Sequence, residues 1–135
     1  RGAATAIAAY DGSFAAGLLE AVTMLAEHGG AVLLIAYDRP PPAPLKAQRA
    51  VSAAFAASLL LSGDERAPHH GILDATLVGA EPEDRLIDAG LERLRSANHA
   101  ARCLPLLEAV ACGRRRSIVL PYLTDRRVLV IYDRC

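Results

Sequence analysis

Apolar residues recur at intervals of three and four along residues 14–28. This spacing predicts a helix with one buried face, formed by Ala15, Leu18, Leu19, Val22, Leu25 and Ala26. Asp11 and Ser13 stand where side-chain oxygens cap a helix start. Gly29 is placed to end the helix. The pattern therefore predicts a helix entered through a tight elbow.

Two apolar runs flank this helix. Residues Ala3–Ala9 are small and apolar, and they predict a strand that leads into the elbow. Residues Ala31–Tyr37 are continuously apolar without alternation, as in a central strand covered on both faces. A strand, a helix and a strand in this order predict a right-handed unit with a parallel sheet. The prolines within Asp38–Pro44 end the second strand and predict a stiff loop.

Two more strands and a helix are predicted downstream. Residues 55–61 and 72–78 predict an antiparallel pair, separated by a polar turn. A helix is predicted from Pro82 or Glu83 to Arg95, with four residues facing inward: Leu86, Ile87, Leu91 and Leu94.

The last part of the chain predicts a helix and a hairpin. The helix spans residues 100–111 and ends near Gly113. The hairpin joins residues 117–123 to residues 127–133 through a polar turn. The predicted fold is α/β: strand, helix and strand, then antiparallel strands, two helices and a C-terminal hairpin.

Length and charge narrow the function classes. The chain has 135 residues, of which 53% are hydrophobic, which suits a single domain. Fifteen basic and fifteen acidic side chains cancel, so no overall field attracts nucleic acid or an anionic membrane. No apolar run approaches the ~20 residues of a membrane span, and no signal peptide is evident. A cytoplasmic protein is expected. Arg114–Arg116 predict a solvated loop, with a phosphate or carrier-protein contact as the alternative.

Cysteines and histidines give little sign of a metal or cofactor site. Three cysteines, an odd number, indicate reduced thiols: Cys103, Cys112 and Cys135. The four histidines lie in no cluster with metal-ligand spacing, so structural or solvated roles are expected: His28, His69, His70 and His99. No glycine-rich phosphate loop is present. The expectation is no metal and no cofactor.

Three segments carry a family resemblance. They are TAIAAYDGSFAAGLLEA at 5–21, AVLLIAYD at 31–38 and AAFAASLLLS at 53–62. Together they resemble the N-terminal domain of β-ketoacyl synthases, the condensing enzymes, and more narrowly the short chain-length-factor-like proteins of aryl polyene pathways. The resemblance implies one partial thiolase-like domain over 1–135, shortened at its N-terminus. Residues 1–80 form its family-like core, and residues 81–135 add helices and a hairpin.

The resemblance places a nucleophilic cysteine at the elbow, where a helix start can lower the pKa of a thiol. Counting back from Gly17, which matches the family's helix glycine, that position is Ala9. A frame shifted by one residue gives Tyr10, which is not a thiol either. The family's two histidine contexts, one Gly/Thr-rich and one Asn/Gly-rich, do not occur. No catalytic residue is therefore expected, and activity of the chain alone is not expected.

Without the nucleophile, the resemblance implies a chain-length-factor-like subunit. Such a subunit pairs with a catalytic β-ketoacyl synthase as a heterodimer and meets acyl carrier protein indirectly. The strand Ala3–Ala9 would join the partner's sheet. Tyr10, Phe14 and Ile7 are candidates for the acyl channel or the interface, and plain core packing is the alternative for Phe14. Because strands of the family's sheet are missing, the chain is expected to expose apolar surface and to associate.

Three other interpretations stay open. The chain can be an acyltransferase with a nucleophile elsewhere, for which Cys103 and Cys112 are poor choices. It can be a truncated relative without function. It can also be an α/β interaction module unrelated to condensation.

Overall fold

The computed structural model describes residues 4–48 and 51–134. These residues form three α-helices and five strands, whose bounds are α1 Ser13–His28, β1 Ala31–Asp38, β2 Phe55–Ser62, β3 Ile72–Val78, α2 Ala89–Ala97, α3 Leu104–Cys112, β4 Arg116–Pro121 and β5 Arg127–Asp133. Short 3-10 turns span Tyr10–Gly12, Leu45–Ala47 and Ala100–Cys103. The predicted α/β class is confirmed.

Helix α1 is formed as predicted, but its buried face lies nearer the N-terminal end than predicted, and Ala26 is exposed. Its apolar face is buried through Phe14, Leu18 and neighbouring small residues, as the three-and-four spacing requires. Gly29 ends the helix with φ 65°, and its N–H donates to the Leu25 carbonyl at 2.9 Å. Glycine suits this position because a positive φ carries no side-chain penalty.

The strand predicted before the elbow is not formed. Residues 4–9 have no strand structure and are mostly exposed, and Ala3 lies outside the described residues. A strand needs a neighbour for its backbone groups, and none of the described strands pairs with these residues. The predicted parallel unit is therefore wrong, because all strand pairs of the described chain are antiparallel.

Strands β1 and β2 form a two-stranded sheet. Their register places Leu33 opposite Leu60 and Tyr37 opposite Ala56. Alternate residues of β1 face the core or the solvent, so the expected cover on both faces is wrong. The expected pairing of residues 55–61 with 72–78 is also wrong, because β2 pairs with β1.

A second sheet has the strand order β3-β5-β4. The predicted hairpin of β4 and β5 is confirmed, with Ile118 opposite Val130. Strand β3 adds to the other edge of β5. A strand from the middle of the chain thus completes the sheet of the C-terminal hairpin.

Helix α2 starts later than predicted. Its N-cap is Asp88, whose carboxylate accepts the Leu91 N–H at 2.8 Å, because a carboxylate satisfies a free amide of the first turn. Leu86 is buried as predicted, but Ile87 is fully exposed and Leu91 is also exposed. The predicted inward positions therefore held only in part, because residues 82–88 are not helical.

The second predicted helix is confirmed as a 3-10 turn that continues into α3. Gly113 ends α3 in the left-handed conformation with φ 60°. The core lies between α1, α3 and the inner faces of both sheets. Its buried members are Phe14, Ala15, Leu18, Cys103, Leu106, Ala109, Ile118, Leu120, Val128, Val130 and Tyr132.

Candidate functional site

The elbow before α1 is the candidate site, and hydrogen bonds within it set its shape. Ser13 Oγ accepts the Ala9 N–H at 2.9 Å and donates to the Tyr10 carbonyl at 2.7 Å. The Gly12 N–H donates to the Ala9 carbonyl at 2.9 Å. Tyr10 has φ 48°, a left-handed conformation that is uncommon for residues other than glycine. Hydrogen bonds among the elbow's own residues therefore hold it in a sharp turn.

The elbow also lies directly against the C-terminal hairpin. A Cβ added to Gly12 would fall 2.2 Å from the Tyr122 carbonyl oxygen. Tyr122 follows the end of β4. Only glycine fits this contact between the two backbones.

Asp11 points away from the helix start. Its carboxylate contacts His99 Nδ1, and its Oδ1 lies 3.5 Å from Arg102 Nη2. The helix N-cap is Gly12, which provides no side-chain cap. The predicted capping roles of Asp11 and Ser13 are therefore wrong, because their oxygens bind other partners. Both residues instead fix the elbow.

A group of charged residues, here called the Glu83 cluster, extends from Arg102. Glu83 carboxylate oxygens lie 3.6 Å from Arg95 Nη1, 3.8 Å from Arg102 Nη1 and 3.7 Å from Arg127 Nε. Arg95 also makes two hydrogen bonds of 2.8 Å to the Glu92 carboxylate. The cluster joins α2, the turn Ala100–Cys103 and β5. Since Arg102 also contacts Asp11, the charges connect these elements to the elbow.

Hydrogen bonding by Arg95 is the main cause that lowers the pKa of Glu92 to about 2. The Leu86 N–H also donates to this carboxylate at 3.0 Å. The same pair raises the pKa of Arg95. Arg95 is 4% exposed, whereas Glu92 is 25% exposed. The buried guanidinium keeps its charge because a carboxylate partners it.

The candidate channel residues are separated by the structure. Tyr10 is 78% exposed and Ile7 is 41% exposed, whereas Phe14 is part of the core. Tyr10 lines a cleft of about 390 Å³ with Arg39, Leu45 and other residues of the loop after β1. Ala9 directly precedes Tyr10 and is half-buried. The elbow thus brings Tyr10 to this cleft but directs Phe14 inward.

No alternative nucleophile is assembled at the elbow. The Ser13 hydroxyl donates to a backbone carbonyl and so has no base to activate it. His99 and Asp11 form a pair, but no described hydroxyl or thiol is hydrogen-bonded to His99. Cys103 is fully buried, and burial raises the pKa of its thiol to about 12. An acyltransferase mechanism would require an ionised or base-paired nucleophile.

Cys103 is expected to resist alkylation in the folded protein because it is buried and protonated. Iodoacetamide should modify the exposed Cys112 quickly and Cys103 only after denaturation. Both cysteines lie on the tryptic peptide 103–114, so fragmentation of this peptide by tandem mass spectrometry measures the two rates. Equal rates for both cysteines in the native protein would contradict this expectation.

Neither a metal site nor a membrane span is formed by the described residues. Within 4–48 and 51–134, no group of three or more His, Cys, Asp or Glu side chains is placed to hold a metal ion. No helix in these ranges is long and apolar enough to cross a membrane.

Sequence reasoning located the elbow but missed the Glu83 cluster and the contact between Asp11 and His99. The i, i+3 spacing of Glu92 and Arg95 on a predicted helix is a signal for one ion pair. Asp11 and His99 are separated by 88 positions, and no local pattern links them.

Comparison with known families assigns the chain to a class. Residues 1–104 match the family model "Beta-ketoacyl synthase, N-terminal domain". Since the match covers more than half of the chain, the chain belongs to this family, whose fold is thiolase-like. Searches of curated proteins and of solved structures gave no match.

Proposed function

We propose that the chain is a non-catalytic, chain-length-factor-like subunit that pairs with a β-ketoacyl-ACP synthase in fatty-acid or polyketide synthesis, of the aryl polyene type. The observation that carries the proposal is the elbow itself. Its backbone is fixed by Ser13, Gly12 and Asp11, yet Ala9 occupies the position that matches the nucleophilic thiol. The site thus has a fixed turn but no thiol at the position that the resemblance assigns to the nucleophile.

A pairing role also accounts for the exposed segment before the elbow. Residues 4–8 are exposed, and Ile7 presents an apolar side chain. Unpaired backbone in an extended segment can add to the edge of a partner's sheet. Tyr10, at the end of this segment, would then line the acyl channel near the interface.

The test is co-expression with the β-ketoacyl synthase encoded in the same source. Size-exclusion chromatography should show a stable heterodimer. Malonyl-dependent extension of acyl chains on carrier protein should require both subunits. A synthase that extends chains equally well alone, together with no complex, would contradict the proposal and favour a relative without function.

Ile7→Asp tests the proposed interface. It should abolish heterodimer formation, because a charge would replace an apolar side chain at the contact. Ile87→Asp is the matched control, since Ile87 is fully exposed on the loop before α2, and it should pair normally. Chromatography of both complexes measures the difference. Equal pairing by both variants would move the interface away from the segment.

A second apolar surface, here called the outer face, lies on the β1–β2 sheet. Leu33, Ile35, Tyr37 and Leu60 are each more than half exposed on it. The expectation of exposed apolar surface is thus confirmed, and surfaces of this kind promote association. The strands lie side by side, with Leu33 opposite Leu60.

The double change Leu33→Lys/Leu60→Glu should reduce self-association of the chain alone, because it places an opposite-charge pair on the outer face. Light scattering after chromatography measures the mass. Leu45→Lys provides an exposed control outside the sheets. A wild-type chain that is monomeric at high concentration would contradict the expected association.

The family match weakens the alternative of an interaction module unrelated to condensation.

We further propose that residues 1–135 act as one domain, since the core draws on α1 and on the C-terminal hairpin together.

A further inference from the structure

A polar cleft of about 340 Å³ lies where α3 and β5 end, and we call it the basic cleft. Its lining includes His69, His70, Gly113, Tyr132 and Arg134. None of its lining residues is acidic. It shares no lining residue with the cleft beside Tyr10.

Hydrogen bonding and close packing hold the walls of the basic cleft in place. The Tyr132 hydroxyl donates to the His70 carbonyl at 2.9 Å. The turn before β3 lies so close to β5 that a Cβ on Gly71 would fall 2.4 Å from the Tyr132 ring. His69 Nδ1 lies 2.8 Å from the Ala67 carbonyl, which makes this nitrogen the donor. The histidine pair is therefore presented by a fixed turn.

The opposite wall is cationic. The Arg134 guanidinium lies over Gly113, where Nη1 would be 2.6 Å from an added Cβ. Arg114 follows Gly113 directly, and Arg115 forms an ion pair of 3.6 Å with Asp133. Among the described residues, no carboxylate lies within ion-pair distance of Arg114 or Arg134. The C-terminal end of α3 carries about half a negative charge. It offsets only part of the positive charge of Arg114 and Arg134, so positive charge remains in excess.

This excess contrasts with the Glu83 cluster. The chain as a whole has a formal net charge of +0. The arginines of the Glu83 cluster are each ion-paired with a carboxylate. In the basic cleft, by contrast, Arg134 has no carboxylate partner among the described residues, and the lining has no acid.

We propose that the basic cleft binds the phosphate group of a small phosphorylated molecule. Arg134 supplies a planar set of donors that matches phosphate oxygens, and the histidine pair faces it across the cleft. The volume lies at the lower end of the range for small-molecule sites, so it admits a phosphate with a short polar extension. The proposal is independent of the proposed pairing with a synthase.

The test is a titration of the chain with inorganic phosphate at constant ionic strength, followed by amide chemical shifts. Saturable shifts are expected for the amides of residues 69–71, 113–114 and 134. Arg134→Gln should weaken the affinity about tenfold, the effect of losing one hydrogen bond to a charged group. Arg126→Gln removes the same charge from the opposite end of β5 and should change the affinity less than twofold. A glutamine pair, His69→Gln/His70→Gln, provides a second variant that leaves the cations in place.

Two results would overturn the proposal. One is a set of shifts that grows linearly up to about 10 mM phosphate, the range of very weak binding, without a preference over chloride. The other is an equal loss of affinity in Arg134→Gln and Arg126→Gln, which would show attraction to overall charge. Matching thermal unfolding curves of the variants and the wild type exclude a folding defect as the cause.

Discussion

Replacing Gly12 by alanine is expected to lower the free energy of unfolding by about 3 kcal/mol, the upper part of the range for overpacked sites. The added methyl would lie 2.2 Å from the Tyr122 carbonyl oxygen. A backbone oxygen cannot rotate away as the end of a flexible side chain can, so the elbow or the hairpin has to move. Urea unfolding followed by circular dichroism measures the loss.

Gly79→Ala is the matched control for this change. A Cβ at Gly79 has no atom within 4 Å, so the free energy of unfolding should change by less than about 0.5 kcal/mol. A similar loss in both variants would mean that the tight contact of Gly12 does not govern stability. Gly12→Ala also tests the candidate site, because a displaced elbow should impair pairing with the synthase.

Replacing Arg95 by methionine is expected to cost about 1.5–3 kcal/mol, the range for losing a hydrogen bond to a charged group, because the carboxylates left behind are 25% and 28% exposed. Arg95 is 4% exposed and makes two hydrogen bonds to Glu92. The change leaves the carboxylates of Glu92 and Glu83 without their shared partner. Arg93→Met, on the exposed side of the same helix, should change stability by less than about 0.5 kcal/mol. Equal effects of both changes would refute a stabilising role for the cluster.

The same ion pair predicts how stability depends on pH. Hydrogen bonds from Arg95 lower the pKa of Glu92 from its ordinary value of 4.5 to about 2 in the folded chain. Between these pH values the unfolded chain binds a proton that the folded chain does not bind. The contribution of Glu92 is therefore complete above about pH 4.5 and is lost as the pH falls towards 2.

Glu92→Gln removes this titration. Its free energy of unfolding should fall less steeply than that of the wild type as the pH is lowered through this window. Asp64→Asn serves as the control, since this exposed acid lies in the turn after β2 and should leave the wild-type slope unchanged. Identical slopes for Glu92→Gln and the wild type would refute the assignment.

Elements with strong local signals could be predicted from the sequence. The apolar spacing of α1 and its terminal Gly29 fix a helix without help from distant residues. The hairpin of β4 and β5 follows from two apolar runs around a polar turn. The apolar run of β1 predicts the strand but not the exposure of its two faces. A continuous run fits both a covered strand and one with an apolar outer face, and the sequence does not distinguish them.

Pairing partners and the site's charges were harder to predict. Strand β3 joins β5 rather than β2, because partner choice depends on packing between distant segments. Residues 4–9 have strand-like composition, yet composition does not supply a neighbouring edge. At the elbow, the contacts of Asp11 with His99 and Arg102 come from the tertiary fold, and no local pattern predicts them.

The pairing of β3 with β5 bears on how the chain can be dissected. The family match ends at residue 104, but β5 lies beyond it and contributes Val128, Val130 and Tyr132 to the core. Cutting the chain at the end of the match would remove two of the three strands in that sheet. It would also remove Tyr122, whose backbone packs against Gly12. The end of the family match therefore does not mark the end of a segment that has a complete core of its own.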